Sequence, residues 1–193
     1  MRYPKEHKDQ ARQRLVENGA RLAKERGFAA SGIDAMAAES GVTSGSLYKH
    51  FSGKSALFAA IVEAELQRSA ESFSRAAGAD AKSFEKALDA YLSLQHVDHP
   101  ERGCALPSLT AEIARADESV RAAFQEGLLG IHEVLKRLLK SSDTAWALIA
   151  QSVGAVMLAR AVLDDDVRRD VLSAAKKEGR ARLQRRPGRG MKS

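Results

Sequence analysis

Residues 27–57 read GFAASGIDAMAAESGVTSGSLYKHFSGKSAL, two short helical segments around a tight turn. Counted from Ile33 as the first position, Ala37 is fifth, Gly41 ninth and Leu47 fifteenth. A helix-turn-helix takes a small residue, a turn glycine and an apolar plug at those places. Ala37 lets the helices approach, and Gly41 can adopt the positive φ that reverses the chain. Met36, Val42, Leu47 and Phe51 fall on one inner face, leaving Thr43, Ser44, Ser46, Tyr48, Lys49 and His50 outside. Those outward groups hydrogen-bond bases or phosphates and are unlike the Glu/Lys ladder of a solvated helix. The pattern predicts a unit that reads double-stranded DNA.

The surrounding chain agrees with helices throughout. Its 193 residues include four prolines and few aromatics, without the β-branched runs of a sheet. One cysteine excludes an internal disulfide and fits a reducing cytosol. The polar start lacks the apolar segment of a secretory leader. The longest apolar run, 145–159, is too short for a bilayer by the rule of roughly 20 residues. A cytoplasmic, membrane-free protein is therefore expected. The net charge of +6 is uneven: residues 1–54 sum to +4, 55–175 to −5 and 176–193 to +7. A basic N-terminal module suits a polyanion.

Helical periodicity predicts segments at about 8–26, 33–39, 43–51, 54–78, 81–96, 107–115, 117–140, 142–160 and from 164 onward. Gly27-Phe28 ends the first, and Ser31 or Gly32 caps the second. Thr43 caps the third. The fourth helix continues from the reading unit without a flexible linker. The eighth is apolar nearly all round, as in a core or an interface. Asp164-Asp165-Asp166 supplies the acids that favour a helix start. From Gly179 the sequence GRARLQRRPGRGMKS has little to bury and reads as a disordered basic tail. The expected domains are 8–53 (DNA-binding), 54–178 (effector binding and dimerisation) and 179–193 (tail).

The run Met36 to Phe51, with Lys54 and Leu57 beyond it, resembles the DNA-binding motif of TetR-type bacterial transcriptional regulators. The resemblance covers roughly residues 10–65; farther on only helix number and order agree. It implies an all-α fold of about nine helices and a homodimer pairing through the eighth and ninth. It also implies an operator, a small-molecule effector held among helices four to seven, and no enzymatic activity. Carried over by position, Thr43 and Tyr48 correspond to phosphate or base contacts. Ser44, Gly45 and Lys49 correspond to groove-facing residues, Lys54 to a phosphate anchor and Ser31 to a phosphate-binding hydroxyl. Gly32 and Asp34 depart from the pattern, because a second hydroxyl is missing and an acid lies near the phosphate path. Close approach along the eighth helix is open to Ala150, Gly154 and Ala155.

Phe84, Tyr91, Phe124 and Trp146, with Cys104, are candidates for an effector pocket, each set against an ordinary place in the core. Cys104 beside Arg102 also suggests a thiol sensor, or a thiol enzyme with His96 or His99 as base. With His96, Asp98 and His99 it forms only a weak metal spacing, so no metal or cofactor is expected. A nonspecific DNA binder driven by the basic ends is the remaining alternative.

Overall fold

The computed structural model describes residues 5–184. Among them are ten α-helices and no strand: α1 Lys5–Arg26, α2 Ile33–Glu39, α3 Ser44–Leu47, α4 Lys54–Ala79, α5 Ala81–Tyr91, α6 Leu94–Asp98, α7 Ala105–Ile113, α8 Glu118–Leu139, α9 Ser142–Ala161 and α10 Asp165–Gln184, with one 3-10 turn, Pro100–Arg102. The all-α expectation holds.

Local chemistry accounts for the breaks. Gly27 takes φ 88°, and its N–H donates to the Ala23 carbonyl at 2.8 Å, ending α1 as the Gly-Phe signal requires. Gly41 turns the chain between α2 and α3 at φ 67°. Thr43 caps α3 by accepting the Ser46 N–H. Four residues of α3 are α-helical; the chain then tightens, Lys49 and His50 donating to Ser46 and Leu47 carbonyls three residues back. The third helix is therefore shorter than the 43–51 read from the sequence, although the turn continues to Phe51.

Two other boundaries differ. The segment expected at 81–96 breaks at Leu92, whose ψ of 52° leaves the helix, and Ser93 caps α6 by accepting the His96 N–H at 3.2 Å. The next long helix begins at Ala105 instead of Pro107. Proline is tolerated there because the first turn has no intrahelical acceptors for its N–H groups. The eighth and ninth helices of the sequence are thus α9 and α10. Asp164 starts α10 by accepting the N–H groups of Asp166 and Val167 at 2.9 and 3.0 Å.

The described chain forms two compact units, interleaved in sequence where consecutive segments were expected. One holds residues up to 66 with 104–127, the other 67–103 with 128 onward. The first has Leu15, Met36, Leu47, Leu57, Ile61 and Leu109 fully enclosed. It also contains a polar bond that the sequence analysis does not anticipate. Lys24 Nζ and Glu65 Oε2 lie 2.7 Å apart with both side chains 4% exposed. The second unit is built on Phe84, Leu88, Leu92, Ile131, Leu148, Val156 and Leu172.

The tail boundary is corrected. Gly179 and Leu183 are buried in α10, one and two turns beyond the buried Ala175. A side chain on Gly179 would meet Leu88 at 2.7 Å, and Arg182 donates to Gln151 at 2.6 Å. The six residues 179–184 are therefore structural, and residues 185–193 of the expected tail lie outside the described residues. By length and composition α9 is the one described helix capable of crossing a bilayer. At 20 residues it is longer than the apolar run counted from the sequence. Seven of its residues, including Leu148, Ile149 and Val156, are nevertheless buried in the protein.

Candidate nucleic-acid interface

The helix-turn-helix presents its outer residues from a rigid base. Met36 and Leu47 have no solvent exposure, Ala37 has 1%, and Phe51 is buried under the Arg12 guanidinium, 5.1 Å from the ring centroid. Val42 is only half-buried at the turn. Above this base, Thr43, Gly45, Tyr48 and Lys49 are exposed; Ser44, Ser46 and His50 are half-buried. Tyr48 at 56% exposure is unusual for a large aromatic, and it points its phenol into solvent at the end of α3. Because Thr43 Oγ1 accepts the Ser46 N–H, its hydroxyl proton is free to donate outward. Gly45 faces open space, its nearest neighbour being Thr43 Oγ1 at 3.9 Å from an added Cβ.

The second anchoring edge is the α1–α2 loop. Glu112 of α7 accepts the Phe28 and Ala29 N–H groups at 3.1 and 2.7 Å. Lys54, first residue of α4, donates to the Ala29 carbonyl at 3.1 Å and lies 5.1 Å from the Phe28 ring centroid. That one bond uses one of its three ammonium protons. Phe28 in turn stacks on Phe58, centroids 3.9 Å apart. Ser55 and Asp117 join the start of α4 to the residue before α8.

Ser31 departs from expectation. It is buried at 4% exposure, and its hydroxyl donates to the Gly27 carbonyl at 2.7 Å. The turn after α1 folds this hydroxyl inward to satisfy a helix-terminal carbonyl, so it is not on the outer face. Asp34, flagged as an acid near the phosphate path, accepts a hydrogen bond from Ser44. Gly32 precedes α2 without a side-chain cap.

Residues 15–61 match the family model of bacterial regulatory proteins, tetR family. The chain carries a TetR-family DNA-binding module. That match covers the helix-turn-helix and is to a family of bacterial regulatory proteins. Among solved structures the fold is shared with SCO4454, a TetR-family transcriptional regulator from Streptomyces coelicolor, at 25% identity and TM-score 0.65 over 92% of this chain and 96% of that one. It is shared with the reduced form of NemR from E. coli at 22% identity and TM-score 0.71, covering 86% and 95%. FadR from Bacillus subtilis, solved in complex with stearoyl-CoA, aligns at 13% identity and TM-score 0.68 over 89% and 97%. No curated protein matches the sequence. The matched residues, 15–61, run from within α1 to the first part of α4 and so contain the exposed Thr43, Gly45, Tyr48 and Lys49.

The residues singled out for an effector are divided between the two compact units. Phe84 is a core residue at 1% exposure. Tyr91 is half-buried, with its ring centroid 6.0 Å from Phe73 and 4.6 Å from His96. Trp146 is 37% exposed and stacks on His132 at 4.1 Å. Cys104 and Phe124 belong to the other compact unit, both half-buried, Cys104 preceding α7. Among the described residues no group of three or more His, Cys, Asp or Glu is arranged to hold a metal ion.

Proposed function

We propose that the chain is a homodimeric transcriptional repressor, released from a near-palindromic operator by a small-molecule effector. The observation that carries the reading is the exposed Thr43–Tyr48–Lys49 set over a fully enclosed Met36–Leu47 base. A rigid base fixes donors relative to one another, as base-edge recognition demands. Thr43 and Tyr48 supply neutral donors to phosphates, Lys49 and Lys54 supply charge, and Ser44, Gly45 and Ser46 approach base edges. His50, half-buried, borders this set.

Dimerisation is supported by α9. Trp146, Ala150, Met157 and Leu158 are exposed, with Val153 and Gly154 half-buried between them, a stripe at helical spacing. Leu158 is 60% exposed and Gly154 has open space above it, which suits close helix–helix approach by a second copy. An isologous pairing places two α3 segments in major grooves about 34 Å apart. For the effector, Tyr91 combines partial exposure with aromatic neighbours. In the same unit Trp146 is a further candidate and Phe84 packs near Phe73, which also neighbours Tyr91; Phe124 and Cys104 are candidates within the other unit. The effector acts only by preferring the dimer whose reading helices are out of groove register. Such a repressor works in the cytosol.

Gel shifts with duplex flanking the protein's own gene test the reading. Sequence-selective binding at moderate salt supports it, and equal retention of scrambled duplex overturns it in favour of nonspecific binding. A Cys104→Ser variant that keeps its full response to the effector excludes the thiol-sensing version.

A further inference from the structure

We infer that Asp34 and Ser44 together form an acceptor-only corner of the reading face that selects an amino-bearing base, cytosine or adenine, at one operator position. The inference rests on the regulator reading and adds to it the chemistry of one contact. The sequence alone made Asp34 an obstacle to phosphate. The structure gives it a partner: the Ser44 hydroxyl, first residue of α3, donates its proton to Asp34 Oδ1 across the turn. Asp34 is exposed and Ser44 half-buried, and among the described residues no lysine or arginine pairs with this carboxylate. No cation among the described residues therefore offsets it toward whatever the module docks on.

A serine hydroxyl has one proton, and here the carboxylate takes it. What remains to the two groups is the oxygen's lone pairs and those of the carboxylate. Both are acceptors. In the major groove only the cytosine N4 and adenine N6 amino groups present donors; guanine and thymine present carbonyl oxygens that would face the acceptors unpaired. The N-terminal residues of a reading helix are the ones that meet base edges. Neighbouring Gly45 carries no side chain to block that approach, an added Cβ there finding only Thr43 Oγ1 at 3.9 Å. The same charge repels phosphate, so Asp34 lowers affinity for every duplex while raising discrimination at one pair.

The test is in vitro selection from a randomised duplex library with the full chain, comparing wild type, Asp34→Asn and Ser44→Ala. Wild type should favour C or A over G or T at one position per half-site by about 10-fold, since a good base contact contributes ~1–3 kcal/mol of discrimination. Asp34→Asn, whose amide adds donors, should admit G or T there. It should also bind unselected duplex more tightly, leaving every other position unchanged. Ser44→Ala should weaken the preference without the gain in nonspecific affinity. If Asp34 only favours the start of α2, the variants will shift thermal stability and leave the selected sequence intact, which overturns the inference alone. A wild type that selects no sequence overturns the regulator reading, and this inference with it.

Discussion

The outer face of α3 and the outer face of α9 are both exposed stripes on buried helices, and they are chemically opposite. The first offers Thr43, Tyr48 and Lys49, groups that lose little in water and gain from a polyanion. The second offers Trp146, Met157 and Leu158, groups whose exposure costs about 25 cal/mol per Å² until another apolar surface covers them. On the proposed function, side-chain chemistry on an exposed face thus distinguishes a face for nucleic acid from a face for protein, although both lie on helices with buried inner sides. Their foundations differ too. Beneath the reading module lies the enclosed Lys24–Glu65 pair, whereas the residues buried by α9 are apolar apart from Ser152.

That contrast can be broken in order of effect. Glu65→Ala should lower unfolding free energy by about 3–5 kcal/mol in denaturant melts, because it removes the carboxylate from beside a buried ammonium. The double variant Lys24→Met/Glu65→Leu should restore most of the loss, and a double variant as unstable as the single would show that the pair is not what holds α1 to α4. Leu158→Lys should weaken self-association by ~10-fold or more in sedimentation velocity, with the monomer still fully helical by circular dichroism. Lys49→Ala should weaken operator binding severalfold and reduce the slope of log affinity against log salt by about 1 per lost phosphate contact. An unchanged slope would remove Lys49 from the backbone contacts. The smallest effect concerns acid. Asp80, capping α5, is held below its usual carboxylate value chiefly by the Ser83 N–H. A lowered folded pKa gives stability that is present above the unfolded value and lost as pH falls through the folded one. Asp80→Ala should therefore flatten only the limb of a stability profile below about pH 4.

What could be read beforehand follows the range of each interaction. The helix-turn-helix was legible because Ala37, Gly41 and Leu47 satisfy constraints set within one turn of themselves. The Lys24–Glu65 pair was invisible because its partners lie 41 residues apart. Nothing local distinguishes Lys24 from the exposed cations beside it. Ser31 was assigned outward by position, but the same turn that exposes Ala29 and Ala30 rotates its hydroxyl onto the Gly27 carbonyl. The end of α10 carried a readable signal. Leu172, Ala175, Gly179 and Leu183 repeat at helical spacing through the charged run, and all four are buried. High charge masked the stripe, although a helix packed along one face needs no more than that. Asp34 was noticed for its charge alone; the bond to Ser44 arises only when the turn closes.

The central claim is that α3 reads sequence and that the cations around it supply salt-dependent affinity. Fluorescence anisotropy with the wild-type protein, on its own upstream duplex and on a scrambled duplex of equal length, measures both at once across a salt series. The account predicts binding at least ~10³-fold tighter to the upstream duplex at moderate salt, with affinity for both falling steeply as salt rises. Equal affinity for the two duplexes at every salt concentration would contradict it.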